Sequence, residues 1–141
     1  MSNIKEIVRG IKCKYKTESP YELADLIGIQ IHKEELGQIH GFYYKAFRVK
    51  QIYLNCNLAR SDEKFVLAHE LGHSILHPDA NTPFLKSNTY LSVDRMEIEA
   101  NKFAMYLLIS DSDLVEYREY SLGQLSQVFG YHEKLMHLRL Q

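Results

Sequence analysis

The sequence has no long apolar run. Nothing in its 141 residues approaches the roughly 18 consecutive apolar residues of a membrane-spanning helix. The opening Met1-Ser2-Asn3-Ile4-Lys5-Glu6 is not followed by the apolar stretch of a secretion signal. Charge of one sign is lacking too. Seventeen basic residues against 18 acidic ones leave a formal net charge of −1, which argues against a protein whose business is blanket attraction to nucleic acid or anionic membrane. Cysteine is scarce: Cys13 and Cys56 stand far apart with no C-x-x-C pair. The expectation is two reduced, packed thiols in a cytoplasmic protein and no disulfide framework. Repeats, low-complexity segments and linkers are absent, so one domain over residues 1–141 is expected. Hydrophobic residues make up 45% of the chain, enough for a core that needs no staple.

Periodicity places the elements. Ile4, Ile7, Val8, Ile11 and Tyr15 recur at helical spacing. Ser19-Pro20-Tyr21-Glu22 has the form of a capping box with proline at the first helical position, opening a short helix that Gly28 stops. Ile29 and Ile31 alternate with Gln30 and His32 as in a strand, and residues 39–55 read as two more strands turning between Lys45 and Lys50. Ser61-Asp62-Glu63 suits a helix start, a serine cap followed by two acids. Beyond it the pattern is helical almost to the end. The expected fold is α+β: N-terminal helices, a small three-stranded and mostly antiparallel sheet, then a helical half.

That half holds the first constellation, His69-Glu70-Leu71-Gly72-His73. On a helix, positions i and i+4 lie one above the other, about 40° apart around the axis. Two imidazoles so placed can grip one metal ion from the same side, with Glu70 beside them in reach of a water. This is the H-E-x-x-H arrangement of zinc peptidases. Gly72 costs about 1 kcal/mol of helix propensity, so a close neighbour is expected against that turn.

Two histidines hold a metal weakly, and a third ligand is required. Residues 92–108 predict a further helix, with Ser92 as its cap, Asp94 in its first turn, and Met96, Ala100, Phe103, Ala104 and Leu107 on its buried face. Glu97 and Glu99 compete for the ligand role. They lie about 200° apart around the axis, so only one can face the site. Glu97 shares its side with Asn101, Ala104 and Leu108, whereas Glu99 shares its side with Arg95, Lys102 and Tyr106. Glu97 is the expected ligand and Glu99 a solvated acid paired with its neighbours. Asn101, one turn on, is placed to hydrogen-bond the second nitrogen of a ligating histidine, or to be satisfied locally.

His69-Glu-Leu-Gly-His73, followed by Glu97-Ile-Glu99-Ala-Asn101-Lys-Phe103-Ala104 and Leu107-Leu108, resembles the ImmA/IrrE family of metallopeptidases, and the resemblance covers the whole chain. It implies a zinc endopeptidase with a thermolysin-like core. The family's E-x-x-x-D/N pair maps to Glu97 and Asn101. Members act by site-specific cleavage of a helix-turn-helix repressor, encoded by bacteria, prophages and integrative elements. Where the family often continues with methionine and proline, this chain has Ile109-Ser110, a difference at a helix end outside the metal motif.

The resemblance implies one zinc ion on His69, His73 and Glu97, with Glu70 as general base. His77 and Tyr90 are candidates for substrate or oxyanion contact, though a histidine at the end of a helix more often caps the last carbonyls. Residues 78–91, between the ligand helices, are a candidate rim of the site. His32, His40, His132 and His137 have no partners at ligand spacing and read as surface or packing residues; Phe42-Tyr43-Tyr44 reads as core. Residues 121–140 form a helix–glycine–helix pattern with Lys134, His137 and Arg139 on its second helix. It is weakly basic and expected to pack, so direct nucleic-acid binding is not expected. The partner implied is a helix-turn-helix repressor as protein substrate. The alternative is a non-catalytic module of the same fold that binds a repressor or DNA. Glu70 separates the two, idle in one and essential in the other.

Overall fold

The computed structural model describes residues 3–81 and 94–141. Tyr90, Ser92 and most of the 78–91 segment lie outside them. The chain opens with α1 (Ile4–Tyr15), capped by the Asn3 side chain on the Glu6 N–H, and α2 (Pro20–Ile27). Ser19 accepts from the Glu22 N–H, Pro20 occupies the first position, and Gly28 ends α2 at φ 91°, where a side chain would be strained.

Three strands follow: β1 (Gln30–Glu34), β2 (Gly41–Ala46) and β3 (Val49–Asn55), in the order β1-β3-β2. The β2–β3 pair is antiparallel, as expected for neighbours joined by a tight turn, while β1 runs parallel to β3. The sheet is therefore mixed. After β1 the chain skips one place to the far edge, and β3 returns into the gap. Buried Asn55 holds that crossing: its side-chain amide donates to the carbonyls of Gly37 and Ile39, 3.0 Å each.

Helix α3 (Arg60–Leu76) starts one residue before Ser61, and its N-cap, Ala59, makes no side-chain bond. Ser61 is therefore not the cap. Tertiary contacts set this end instead. Glu63 is buried, accepting from the Tyr21 hydroxyl at 2.8 Å, and Lys33 lies 3.2 Å from it. Burial opposes charge on Glu63, but the bonds from Tyr21 and Lys33 outweigh it and hold the carboxyl below its usual pKa.

Helix α4 (Arg95–Leu108) is capped by Asp94, whose carboxylate accepts from the Met96 and Glu97 N–H groups. Asp94 thus caps the helix and does not stand in its first turn, as the four orphan N–H groups of a helix start favour. Short helices α5 (Asp111–Val115), α6 (Leu122–Phe129) and α7 (Glu133–Arg139) close the described chain, α5 and α6 each starting with a complete capping box.

One apolar cluster joins α1, α2, the sheet, α3 and α4 through Val8, Leu23, Tyr43, Ile52, Leu67, Leu71, Phe103 and Leu107. A second seats α6 and α7 on the end of α4 through Met105, Ile109, Leu125, Leu135 and Met136. The terminal helix pair packs, as expected. Arg139 is spent there: it is buried, with Nε donating to the Ile109 carbonyl and Nη2 to Asp111, 2.8 Å each. The two cysteines are free and, contrary to expectation, exposed. No described helix is long and apolar enough to cross a membrane.

Candidate metal centre

The stretch of α3 from Val66 to Ser74 is buried throughout, because the sheet covers one side of it and α4 another. Gly72 makes the second approach possible. A Cβ built there would stand 3.2 Å from Ala100 Cα and 3.0 Å from Phe103 Cβ, the close neighbour that a mid-helix glycine implied. The far end of α3 is held by the hairpin. Lys50 Nζ donates to the Ser74 carbonyl at 2.7 Å, and the hydroxyl of fully buried Tyr43 donates to the Pro78 carbonyl at 2.6 Å. A cation on the last-turn carbonyls also suits the helix dipole.

His69 and His73 lie on this held stretch of α3 and Glu97 meets them from α4, all three nearly inaccessible. Their ligand-capable atoms lie within 4.8 Å of one another. Glu97 Oε2 is 3.0 Å from His69 Nε2 and 2.6 Å from His73 Nε2, and the two nitrogens are 3.2 Å apart. Three side chains aimed at one point are what a metal ion requires. With zinc–nitrogen bonds of about 2.0–2.1 Å, two ligands of a tetrahedron stand about 3.3 Å apart, close to the observed nitrogen spacing. A donor set of two imidazoles and one carboxylate fits zinc, and a three-ligand set leaves the fourth place open.

The hydrogen bonds around the three residues agree with that use. His69 Nδ1 is 2.8 Å from Asn101 Oδ1, an acceptor. An Nδ1–H donates to that oxygen, which frees Nε2 to turn its lone pair to a metal ion in place of its contact with Glu97. Burial by itself opposes charge on Glu97, but its bonds to His69 and His73 bring the carboxyl down to about 2. Burial likewise opposes charge on His69, yet the bond to Glu97 and the nearby Glu70 and Glu97 carboxylates raise its pKa. Glu70 is buried on the next position of α3 and acts on His69 through its charge, but it is not among the three converging groups.

Two residues stand elsewhere than expected. The backbone N–H of His77 bonds the His73 carbonyl, but its ring does not cap carbonyls. His77 Nδ1 lies 3.1 Å from His73 Nδ1, and its Nε2 lies 2.8 Å from Glu99 Oε1. Glu99 does pair with Arg95, at 3.5 Å, yet its side chain is only 25% exposed. The wheel put Glu97 and Glu99 on different sides of α4, as they lie in the structure, but could not see that α3 ends where Glu99 passes. The i, i+4 spacing of His73 and His77 was the available signal. Elsewhere, His32 bonds Gln51 and stacks on Tyr53, and His132 caps α7.

Comparison with known proteins agrees with this geometry. A peptidase family model described as an IrrE N-terminal-like domain matches residues 24–141. The uncharacterized immunity region protein 2 of Bacillus phage phi105 is 44% identical over 139 residues, 96% of this chain and 88% of that protein. Metallopeptidase ImmA of Bacillus subtilis (strain 168) is 32% identical over 120 residues, 85% of this chain and 71% of that one. The match over most of the chain, the H-E-x-x-H helix and the α+β fold lead to one conclusion: this chain belongs to the ImmA/IrrE family of metallopeptidases, in its phage-type branch.

Proposed function

We propose that this chain is a zinc-dependent, site-specific endopeptidase acting in the cytoplasm, which cleaves a helix-turn-helix repressor and so relieves repression in a prophage or mobile element. The observation that carries the reading is the buried convergence of His69 and His73 with Glu97, and Glu70 buried on the helix that holds the two histidines. The phage immunity region protein and the metallopeptidase among its relatives support the biological setting.

In this reading His69, His73 and Glu97 hold the zinc, and Asn101 fixes the orientation of His69. Zinc, when bound, polarises the scissile carbonyl and makes water a competent nucleophile near neutral pH. Glu70 takes the proton of the attacking water and delivers it to the leaving amine. Burial of the ligands keeps bulk water from competing for them. Strand β2 lies at an edge of the sheet and is tied by Tyr43 to the end of α3. An extended segment of the substrate is accommodated as a further strand there, which favours locally unfolded targets. Tyr90 keeps its role as a candidate oxyanion donor. His77, engaged by His73 and Glu99, does not.

The test is co-expression with a helix-turn-helix repressor encoded beside this chain, followed by immunoblotting. Loss of intact repressor with the wild type but not with Glu70→Gln is expected. Equal derepression by both, with the repressor intact, would replace proteolysis by binding.

A further inference from the structure

The two histidines of the metal centre are braced by different chemistry. Behind His69 stands a neutral amide, Asn101. Behind His73 stands another imidazole, His77, and behind that a carboxylate, Glu99. We infer that His77 and Glu99 are positioning residues for the metal centre, a carboxylate–imidazole pair that fixes the tautomer of His73 and strengthens it as a ligand. The inference rests on the metal-centre reading above.

Hydrogen-bond direction carries the argument. To offer the Nε2 lone pair to a metal, His73 must carry its proton on Nδ1. That N–H can donate only to an acceptor, and the atom facing it at 3.1 Å is His77 Nδ1. His77 must then carry its own proton on Nε2, which lies 2.8 Å from the Glu99 carboxylate, a pure acceptor. Every member has one consistent role: Glu99 accepts from His77, His77 accepts from His73, and His73 faces the centre. Without Glu99, His77 is free to move its proton to Nδ1, setting two donors against each other and weakening the orientation of His73.

The geometry is built and not incidental. The side chains of His77 and Glu99 are 10% and 25% exposed, so solvent competes little for either. His77 is the C-cap of α3, stopped there by Pro78, whose carbonyl is anchored by Tyr43. The same helix end that terminates the fold element therefore aims the ring. Arg95 reaches the other oxygen of Glu99 from a largely exposed position, at 3.5 Å, and serves as an internal control.

The experiment measures zinc affinity of the purified full chain by chelator competition. Long-range proton–nitrogen NMR of the zinc-loaded protein reads the histidine tautomers. In the wild type, His77 is expected with its proton on Nε2. Glu99→Ala is expected to lower zinc affinity about 10–100-fold, the usual effect of losing a group that orients a ligand, and to release the His77 tautomer. Glu99→Gln, whose amide oxygen can still accept, recovers most of the loss, and Arg95→Ala leaves both readouts unchanged. His77→Phe weakens zinc binding like Glu99→Ala, and the double variant is no worse, because Glu99 acts through His77. Wild-type affinity in Glu99→Ala, or a wild-type His77 protonated on Nδ1, overturns the inference while leaving the metal centre standing. A wild-type protein that takes up no zinc overturns both. Should Glu99→Ala fail to fold, the wild-type tautomer and the His77→Phe affinity decide.

Discussion

Gly72 on α3 and Ala100 on α4 approach so closely that a methyl group on the glycine would stand 3.2 Å from the Ala100 carbonyl oxygen. Ala100 lies between Glu97 and Asn101, so this contact sets how near both come to His69 and His73. Gly72→Ala gains about 1 kcal/mol of helix propensity but overpacks a rigid contact, which costs about 1–3 kcal/mol. The expected outcome is a protein with a lower urea midpoint and weaker metal binding. A variant more stable than the wild type, with metal binding intact, would show that the two helices can part freely.

Much of this site was legible in the sequence for a physical reason. Ligand spacing on one helix is a local property, and His69, Glu70 and His73 are bound to it. The choice of Glu97 over Glu99 is also local, since a helical wheel needs only the residues flanking each acid. The His77–Glu99 bond joins the C-terminal end of α3 to the second turn of α4, and no local rule predicts that meeting. The same limit explains the start of α3. Tyr21 and Lys33, distant in sequence, engage Glu63, and these tertiary partners overrode the serine cap. The parallel partner of β3 was invisible for a related reason, because alternation marks a strand without naming its neighbour.

Zinc content follows from the converging ligands. Elemental analysis should find about one zinc per chain in the wild type and none in the His69→Ala, His73→Ala double variant. Removing the metal with a chelator should lower Tm, since a ligand bound only by the folded state stabilises it. Metal retained by the double variant would place the binding elsewhere.

The third ligand separates from its neighbour by conservative substitution. Glu97→Gln should weaken zinc binding strongly, because the carboxylate at 2.6 Å from His73 Nε2 becomes a neutral amide. Glu99→Gln should stay close to the wild type by the same chelator titration. Reversal of that order would mean that α4 presents its other face.

Alkaline stability reports on Tyr43. Burial, with the nearby Asp79 charge, pushes its hydroxyl up to about 12 from the ordinary 10.0, and Tyr21 is raised to about the same value by burial and by Glu63. The folded pKa exceeds the unfolded one, so the stabilisation is complete below about pH 10 and is lost between about 10 and 12, where the unfolded chain gives up its proton first. Urea unfolding over that range should show falling stability. Tyr43→Phe should flatten the fall while lowering stability at neutral pH through loss of the bond to Pro78. An unchanged alkaline slope in Tyr43→Phe would remove Tyr43 from this account.

The most direct test of the peptidase reading uses purified proteins. Zinc-loaded wild type and zinc-loaded Glu70→Gln are each incubated with the repressor, and intact masses are followed. Glu70 is not among the three converging groups, so both proteins should carry zinc and bind the partner equally. The wild type should convert the repressor to two fragments whose masses sum to that of the substrate plus one water. Glu70→Gln should do so at least roughly 10²–10⁴-fold more slowly, the usual effect of losing a general base. Equal cleavage by both proteins would remove Glu70 from the chemistry, and an intact repressor with both would contradict the assignment of this chain as a peptidase acting on it.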